Sequence, residues 1–134
     1  MNYLLDTNIC VHFFRGKFGV SERIEAAKAE NCAISEITLA ELVFGAENSK
    51  NPEKNHRLIE NFIDLVKVLP IYDSIMKYGT EKARLRKSGT MISDLDLFIG
   101  CTAIANDLIM VTENISEFER ISDIKIENWV DRMI

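Results

Sequence analysis

Five short, mostly apolar runs, at Tyr3 to Leu5, Cys32 to Ile34, Val68 to Ile71, Ile109 to Val111 and Ile124 to Ile126, are separated along this chain by longer stretches in which apolar residues recur every three to four positions. The short runs read as buried strands and the longer stretches as amphipathic helices. Strands joined through helices cannot be paired as hairpins, because the crossover returns the chain to the same edge of the sheet in the same direction. The expected fold is therefore α/β: a central, mainly parallel sheet covered by helices on both faces, in three layers. In such a sheet the helix starts and loops converge beyond the carboxyl ends of the strands, which is where chemistry is expected.

The helices can be placed from their caps and stripes. Asp6-Thr7-Asn8 opens one that runs towards Phe14, and Ser21 to Lys28 forms a second. Ser35 caps a helix from Glu36 to about Glu47, whose buried face is expected at Ile37, Ala40, Val43 and Phe44. Asn51-Pro52 starts the next, with a core stripe of Leu58, Ile59, Phe62, Ile63 and Val66. Asp73-Ser74 opens a helix to about Arg86 that Lys87-Ser88-Gly89 breaks. Another begins near Asp94 with Leu97, Phe98, Cys101, Ile104 and Ala105 inward, and a short turn from Glu117 to Ile121 follows the fourth strand. No repeat or low-complexity segment divides the 134 residues, so one domain over 1–134 is expected.

Composition narrows the functions open to this fold. With 47% hydrophobic and 28% charged residues the chain can bury a core, and it has no apolar run long enough to span a membrane and no leader-like segment. A cytoplasmic protein is expected. Cys10, Cys32 and Cys101 are odd in number and set in apolar surroundings, which favours reduced core thiols over disulfides or zinc. His12 and His56 have no metal-ligand spacing and read as structural or surface groups. Sixteen basic against 21 acidic residues leave a net charge of -5, so any grip on nucleic acid must be local. The charges are in fact segregated. Lys77, Lys82, Arg84, Arg86 and Lys87 crowd one stretch, whereas residues 94–131 hold nine carboxylates and only Arg120 and Lys125.

Three acids fall where strand ends and helix starts meet. Asp6 follows the first strand, Glu41 lies on the helix after the second, and Asp96 lies in the first turn of a helix entered from a loop. Each has a local explanation as well: Asp6 as a helix cap, Asp96 as the far half of a capping box with Ser93, Glu41 as a solvated helix residue. Together they repel unless a cation neutralises them, and an all-oxygen set without histidine suits Mg2+ or Mn2+. Asn8, Thr112 and Asn114 are polar groups at the same strand ends. They read either as supports for the site or as turn and cap hydrogen bonds.

Four ordered segments, LLDTNI from Leu4, SEITLAELVFG from Ser35, ISDLDLFIG from Ile92 and VTENISEFERI from Val111, with Glu127-Asn128-Trp129 behind them, resemble the PIN-domain ribonucleases. The likeness is closest to the VapC-type toxins of toxin–antitoxin pairs and covers essentially the whole chain. It implies a PIN-like α/β/α sandwich and a Mg2+- or Mn2+-dependent endoribonuclease with Asp6, Glu41 and Asp96 as metal-holding, catalytic acids. Many PIN domains carry a fourth acid where this chain has Asn114. That residue supplies an amide oxygen or a water-mediated contact, or cedes the role to Glu113 or Glu117. Asp94 contributes through a water or serves the helix start.

The resemblance further implies a cognate antitoxin and a homodimer. A subgroup with similar NICVH, GAENS and ENW segments acts on initiator tRNA in its anticodon stem-loop. Arg84 and Arg86, whose guanidinium groups can each donate two hydrogen bonds to a phosphate, are the expected RNA contacts, against the alternative of a solvated helix face. A receiver domain would need a paired acid and a late Lys that this layout lacks. A haloacid-dehalogenase-type phosphatase would need an acid where Asn8 stands. A catalytically inactive PIN-like module acting only through protein partners is the remaining alternative.

Overall fold

The computed structural model describes residues 2–134; Met1, the first residue of the single unit expected over 1–134, lies outside them. The five strands are β1 (Tyr3–Leu5), β2 (Cys32–Ser35), β3 (Lys67–Leu69), β4 (Ile109–Val111) and β5 (Ile126–Glu127). The helices are α1 (Thr7–Phe14), α2 (Val20–Ala27), α3 (Glu36–Glu47), α4 (Pro52–Leu65), α5 (Ile75–Ser88), α6 (Asp94–Ala105) and α7 (Ile115–Phe118). All strand pairs are parallel and the sheet order is β3-β2-β1-β4-β5. No helix among the described residues is long and apolar enough to cross a membrane.

The pleat sends alternate side chains to opposite faces, and the core divides accordingly. Leu5, Cys32, Ile34 and Val111 pack with Ile9, Ile24, Ile59 and Phe62 beneath the first four helices. Leu4, Ala33, Leu69 and Met110 face the other way, against Leu85, Leu97, Ile99 and Phe118. This is the expected three-layer sandwich. The three cysteines are free and buried.

Local signals set most helix starts. Asp6 accepts from Thr7 N, Ser35 from Thr38 N, Asn51 from Lys54 N and Ser93 from Asp96 N, each satisfying a backbone donor that the first helical turn cannot. Gly89 closes α5 in the left-handed conformation at φ 70°, its N–H donating to Arg86 O. At the start of α5 the structure departs from the expectation. A 3-10 turn over Tyr72–Ser74 precedes the helix, and the Ser74 hydroxyl donates back to Ile71 O instead of capping. The closing turn and last strand are also displaced, to Ile115–Phe118 and Ile126–Glu127.

The larger correction concerns α3. Its buried residues are Thr38, Leu42 and Ala46, whereas Ala40 and Val43 are exposed and Phe44 is 69% exposed. The helix is apolar on nearly every side, so its periodicity does not select a face. Packing does, because α3 is wedged against α1, α4 and α6 at once. Glu41, one residue from Leu42 and three from Thr38, thereby borders the buried stripe. In α6 the buried set is wider than expected, adding Ile99, Gly100, Thr102 and Ala103 and leaving Ala105 exposed.

Candidate metal centre at the strand ends

The strand order turns around at the middle of the sheet: from β1 the chain steps to β2 and β3 on one side, then returns to place β4 and β5 on the other. The connections leaving β1 and β4 diverge, which opens a crevice at their carboxyl ends. Asp6 follows β1 and Thr112 follows β4, so the two meet at that point. Asp6 N donates to Val111 O at 2.9 Å, its Oδ1 accepts from Thr7 N at 2.8 Å, and its Oδ2 accepts from the Thr112 hydroxyl at 2.7 Å. Asp6 as a whole is 4% exposed. Burial raises its pKa, the Thr112 and Thr7 hydrogen bonds pull it back, and the charge of Glu41 raises it again.

Glu41 reaches the same crevice from α3, half-buried, where its Oε1 accepts from the Thr7 hydroxyl at 2.6 Å. That hydroxyl also lies 3.2 Å from the Thr38 hydroxyl. Thr7 thus serves two acids, Asp6 through its backbone N–H and Glu41 through its side chain. Asp96, in the first turn of α6, is pushed up to about 6, chiefly by burial and then by the negative charges of Asp6, Glu117 and Glu41, while Ser93 pulls the other way. Asp96 therefore feels the charges of three other acids, each from a different helix start or face, across the crevice.

Other expected site residues are placed as follows. Thr112 holds Asp6 and accepts from Asn114 N at 2.9 Å, tying the start of α7 to the site. Asn114 is half-buried and makes no side-chain cap bond. Asn8 Oδ1 is a buried acceptor without a partner among the described residues. Asp94 is exposed and turned to α5, accepting from Lys82 at 2.8 Å and Tyr78 at 2.9 Å. The hydrogen bond from Lys82 holds it below the usual carboxylate range. Glu113 is engaged elsewhere. It makes two 2.6 Å contacts with Arg132 and one of 3.2 Å with His12, and the Arg132 hydrogen bonds keep its pKa low. Of the acids considered for the fourth position, Glu117 is the one brought into electrostatic reach of Asp96.

The two arginines differ. Arg86 is exposed and lines a shallow groove on α5 with Lys82 and Lys87. Arg84 is drawn into a bidentate pair with the buried Glu81, at 2.9 and 3.0 Å, and donates to Arg120 O at 2.6 Å. It is not a free cation. Sequence reasoning missed Thr7 as the support of Glu41 and Thr38 as the hydroxyl beside Thr7. Thr7 was legible only as part of a capping turn, and Thr38 shows no sign in sequence of meeting it.

The donor set suits a hard divalent cation. The oxygens it offers are carboxylate oxygens, two of its acids have pKa values raised partly by neighbouring negative charge, and Asn8 adds an unpartnered buried amide oxygen in the helix that Asp6 caps. Among the described residues no three Asp, Glu, His or Cys side chains stand close enough to enclose an ion as they are. The arrangement is a shared negative field around one crevice.

Comparison with known proteins places this geometry. The family model described as PIN domain matches residues 3–124. The chain is 36% identical over 132 residues to Ribonuclease VapC2 of Haemophilus influenzae, covering 97% of this chain and 99% of the relative. It is 39% identical to the tRNA(fMet)-specific endonuclease VapC of Salmonella typhimurium, covering 96% and 98%. Among solved structures, DNA-bound VapBC from Salmonella typhimurium superposes with a TM-score of 0.90 at 36% identity, covering 96% of this chain and 98% of that one.

Proposed function

Because this chain belongs to the PIN-domain family, we propose that it is a divalent-metal-dependent endoribonuclease, the toxin of a toxin–antitoxin pair. The observation that supports this reading is the negative field that Asp6 and Glu41 exert on Asp96 beyond the strand ends, with Asp6 fixed from two sides and Asp96 pushed up to about 6. Relatives named as ribonucleases over nearly the whole length support the activity, and the VapBC complexes support an antitoxin partner.

Asp6, Glu41 and Asp96 would hold Mg2+ or Mn2+, with Glu117 and Asn114 as candidates for a fourth position. Bound there, the ion would supply Lewis-acid stabilisation of charge on the phosphoryl oxygens and lower the pKa of an attacking water. The residues of the chain do the positioning. Thr112 and the Thr7 N–H oppose the upward pull of burial on the Asp6 carboxyl and fix its position, and the Thr7 hydroxyl aims Glu41. Arg86 is proposed to hold an RNA phosphate from α5, whereas Arg84 can do so only by leaving Glu81. The substrate is proposed to be initiator tRNA, cut in the anticodon stem-loop, on the strength of the relative specific for tRNA(fMet). The place of action is then the cytoplasm. A cationic antitoxin segment could occupy the carboxylate cleft by charge pairing, and the toxin itself is proposed to form a homodimer.

The test is cleavage of total RNA and of initiator tRNA by purified protein with Mg2+ or Mn2+. Cleavage is expected to stop with chelator and in Asp6→Asn, Glu41→Gln and Asp96→Asn, each of which should retain its circular dichroism spectrum. A wild-type protein that leaves all RNA intact with either ion would reduce the chain to a binding module. Retained cleavage in one variant would remove that residue from the centre.

A further inference from the structure

A groove of about 620 Å3 runs between α1, α3 and α4, and its inner end is formed by Thr7 and Glu41 of the acid centre. Its outer end carries Arg15, Lys17 and Lys54, and its middle is lined by Val11, Phe14 and Leu58. Arg15 and Lys17 come from the turn after α1, Lys54 from the first turn of α4. None of the three is in an ion pair among the described residues, although the chain as a whole carries five more negative than positive charges. Acids capable of neutralising them are plentiful, so an unpaired trio facing one groove is a local positive field in a negative molecule.

We infer that this groove is the track of the single-stranded RNA substrate leaving the cleavage site, with Arg15, Lys17 and Lys54 holding phosphates beyond the scissile one and Phe14 offering a face to a base. The inference rests on the ribonuclease reading above and adds residues to it. From Thr7 to Arg15 along α1 is about 12 Å at the rise of an α-helix, so the cations stand clear of the acid centre and would act on neighbouring nucleotides. Cations following a backbone beside an apolar and aromatic floor are the recurring means of gripping single strands. A polyanion entering with its phosphates at the outer end meets positive charge there and carboxylates only at the metal centre, which polarises its direction of approach. An apolar protein helix would fill the middle of the groove and leave the three cations without partners. The observations therefore favour RNA over a protein occupant.

The experiment compares Arg15→Ala/Lys17→Ala/Lys54→Ala with the unsubstituted chain, both also carrying Asp96→Asn so that RNA is bound and not cut. Affinity for initiator tRNA and for a short single-stranded RNA is measured from about 50 to about 200 mM salt, and cleavage is measured without Asp96→Asn. All three residues are exposed, so the thermal midpoint should not move. The expected result is an affinity at least tenfold lower and a salt slope about 2 smaller, from three phosphates at about 0.7 each, with kcat/KM falling in parallel. If the parent chain cuts RNA and the triple variant matches it in affinity and slope, the groove inference is wrong and the ribonuclease reading stands. If the variant loses affinity only for the antitoxin, the groove is a protein dock and the inference is likewise overturned. A parent chain that neither binds nor cuts RNA overturns both.

Discussion

At the scale of single residues, crowding and burial of the crevice acids cost the metal-free fold stability. Asp96 is pushed up to about 6 in the folded protein, above the unfolded value near 3.9, so the native state binds its proton more readily than the unfolded chain does. Stability is therefore lost as pH rises from about 4 to about 6. Asp96→Asn is expected to stabilise the metal-free protein above pH 6 by on the order of 1 kcal/mol after solvent screening, raising its thermal midpoint, and to change it little below pH 4. Calorimetry across that range checks the sign. A gain at low pH and none at neutral pH would contradict it. Thr112→Val tests the opposite case. Removing a hydroxyl that donates to a buried carboxylate at 2.7 Å should cost about 1–3 kcal/mol by denaturant unfolding and weaken Mn2+ binding in a titration. Both acids were legible in the sequence, because a strand end and a helix start are local features. Thr112 was legible as a polar group at the same strand ends, but neither its bond to Asp6 nor that of Thr7 to Glu41 was, since those partners lie 106 and 34 positions apart.

At the scale of elements, α5 and α6 are joined to the closing segment by two contacts with measurable consequences. Glu81, buried on α5, receives Arg84, which holds its pKa low at about 2, and the Ser122 N–H. The folded pKa is depressed, so its contribution is fully present above about 4.5 and is lost as pH falls towards 2. Glu81→Gln should destabilise the protein by about 2 kcal/mol at neutral pH, since the buried acceptor site is kept but the charge partner of Arg84 is lost. The loss should shrink steadily in unfolding curves taken below pH 4. On α6, Gly100 lies where a Cβ would run into Ile121 and press on Phe118 and Ile124. Ile121 and Phe118 are themselves buried, so Gly100→Ala should cost about 1–3 kcal/mol through displacement of the closing segment. Hydrogen exchange should show that loss first around α7. The burial of Glu81 between Arg84 and the Ser122 N–H was not legible in the sequence, where the same stretch read as a basic face for RNA.

For the whole molecule, metal binding should act as a stabiliser, because the unfolded chain does not assemble the centre. Mg2+ at about a hundred times its dissociation constant should add about 2.7 kcal/mol to the unfolding free energy. The thermal midpoint should rise with Mg2+ or Mn2+ in the parent and stay flat in Asp6→Asn, and a rise of equal size in both would place the ion elsewhere. The sequence by itself determined the layered α/β architecture, the placing of most helix starts and the presence of acids at strand ends. Those follow from periodicity and from caps such as Asp6, Ser35 and Ser93, whose partners lie within three residues. Only the tertiary structure decided which face α3 buries, that Arg84 and Glu113 are spent on ion pairs, and that cations from the α1–α2 turn and from α4 share one groove with Glu41. The physical reason is that periodicity names a face only where one side of a helix is polar, and charge neutralisation depends on distance in space, which the fold supplies and the order of residues does not.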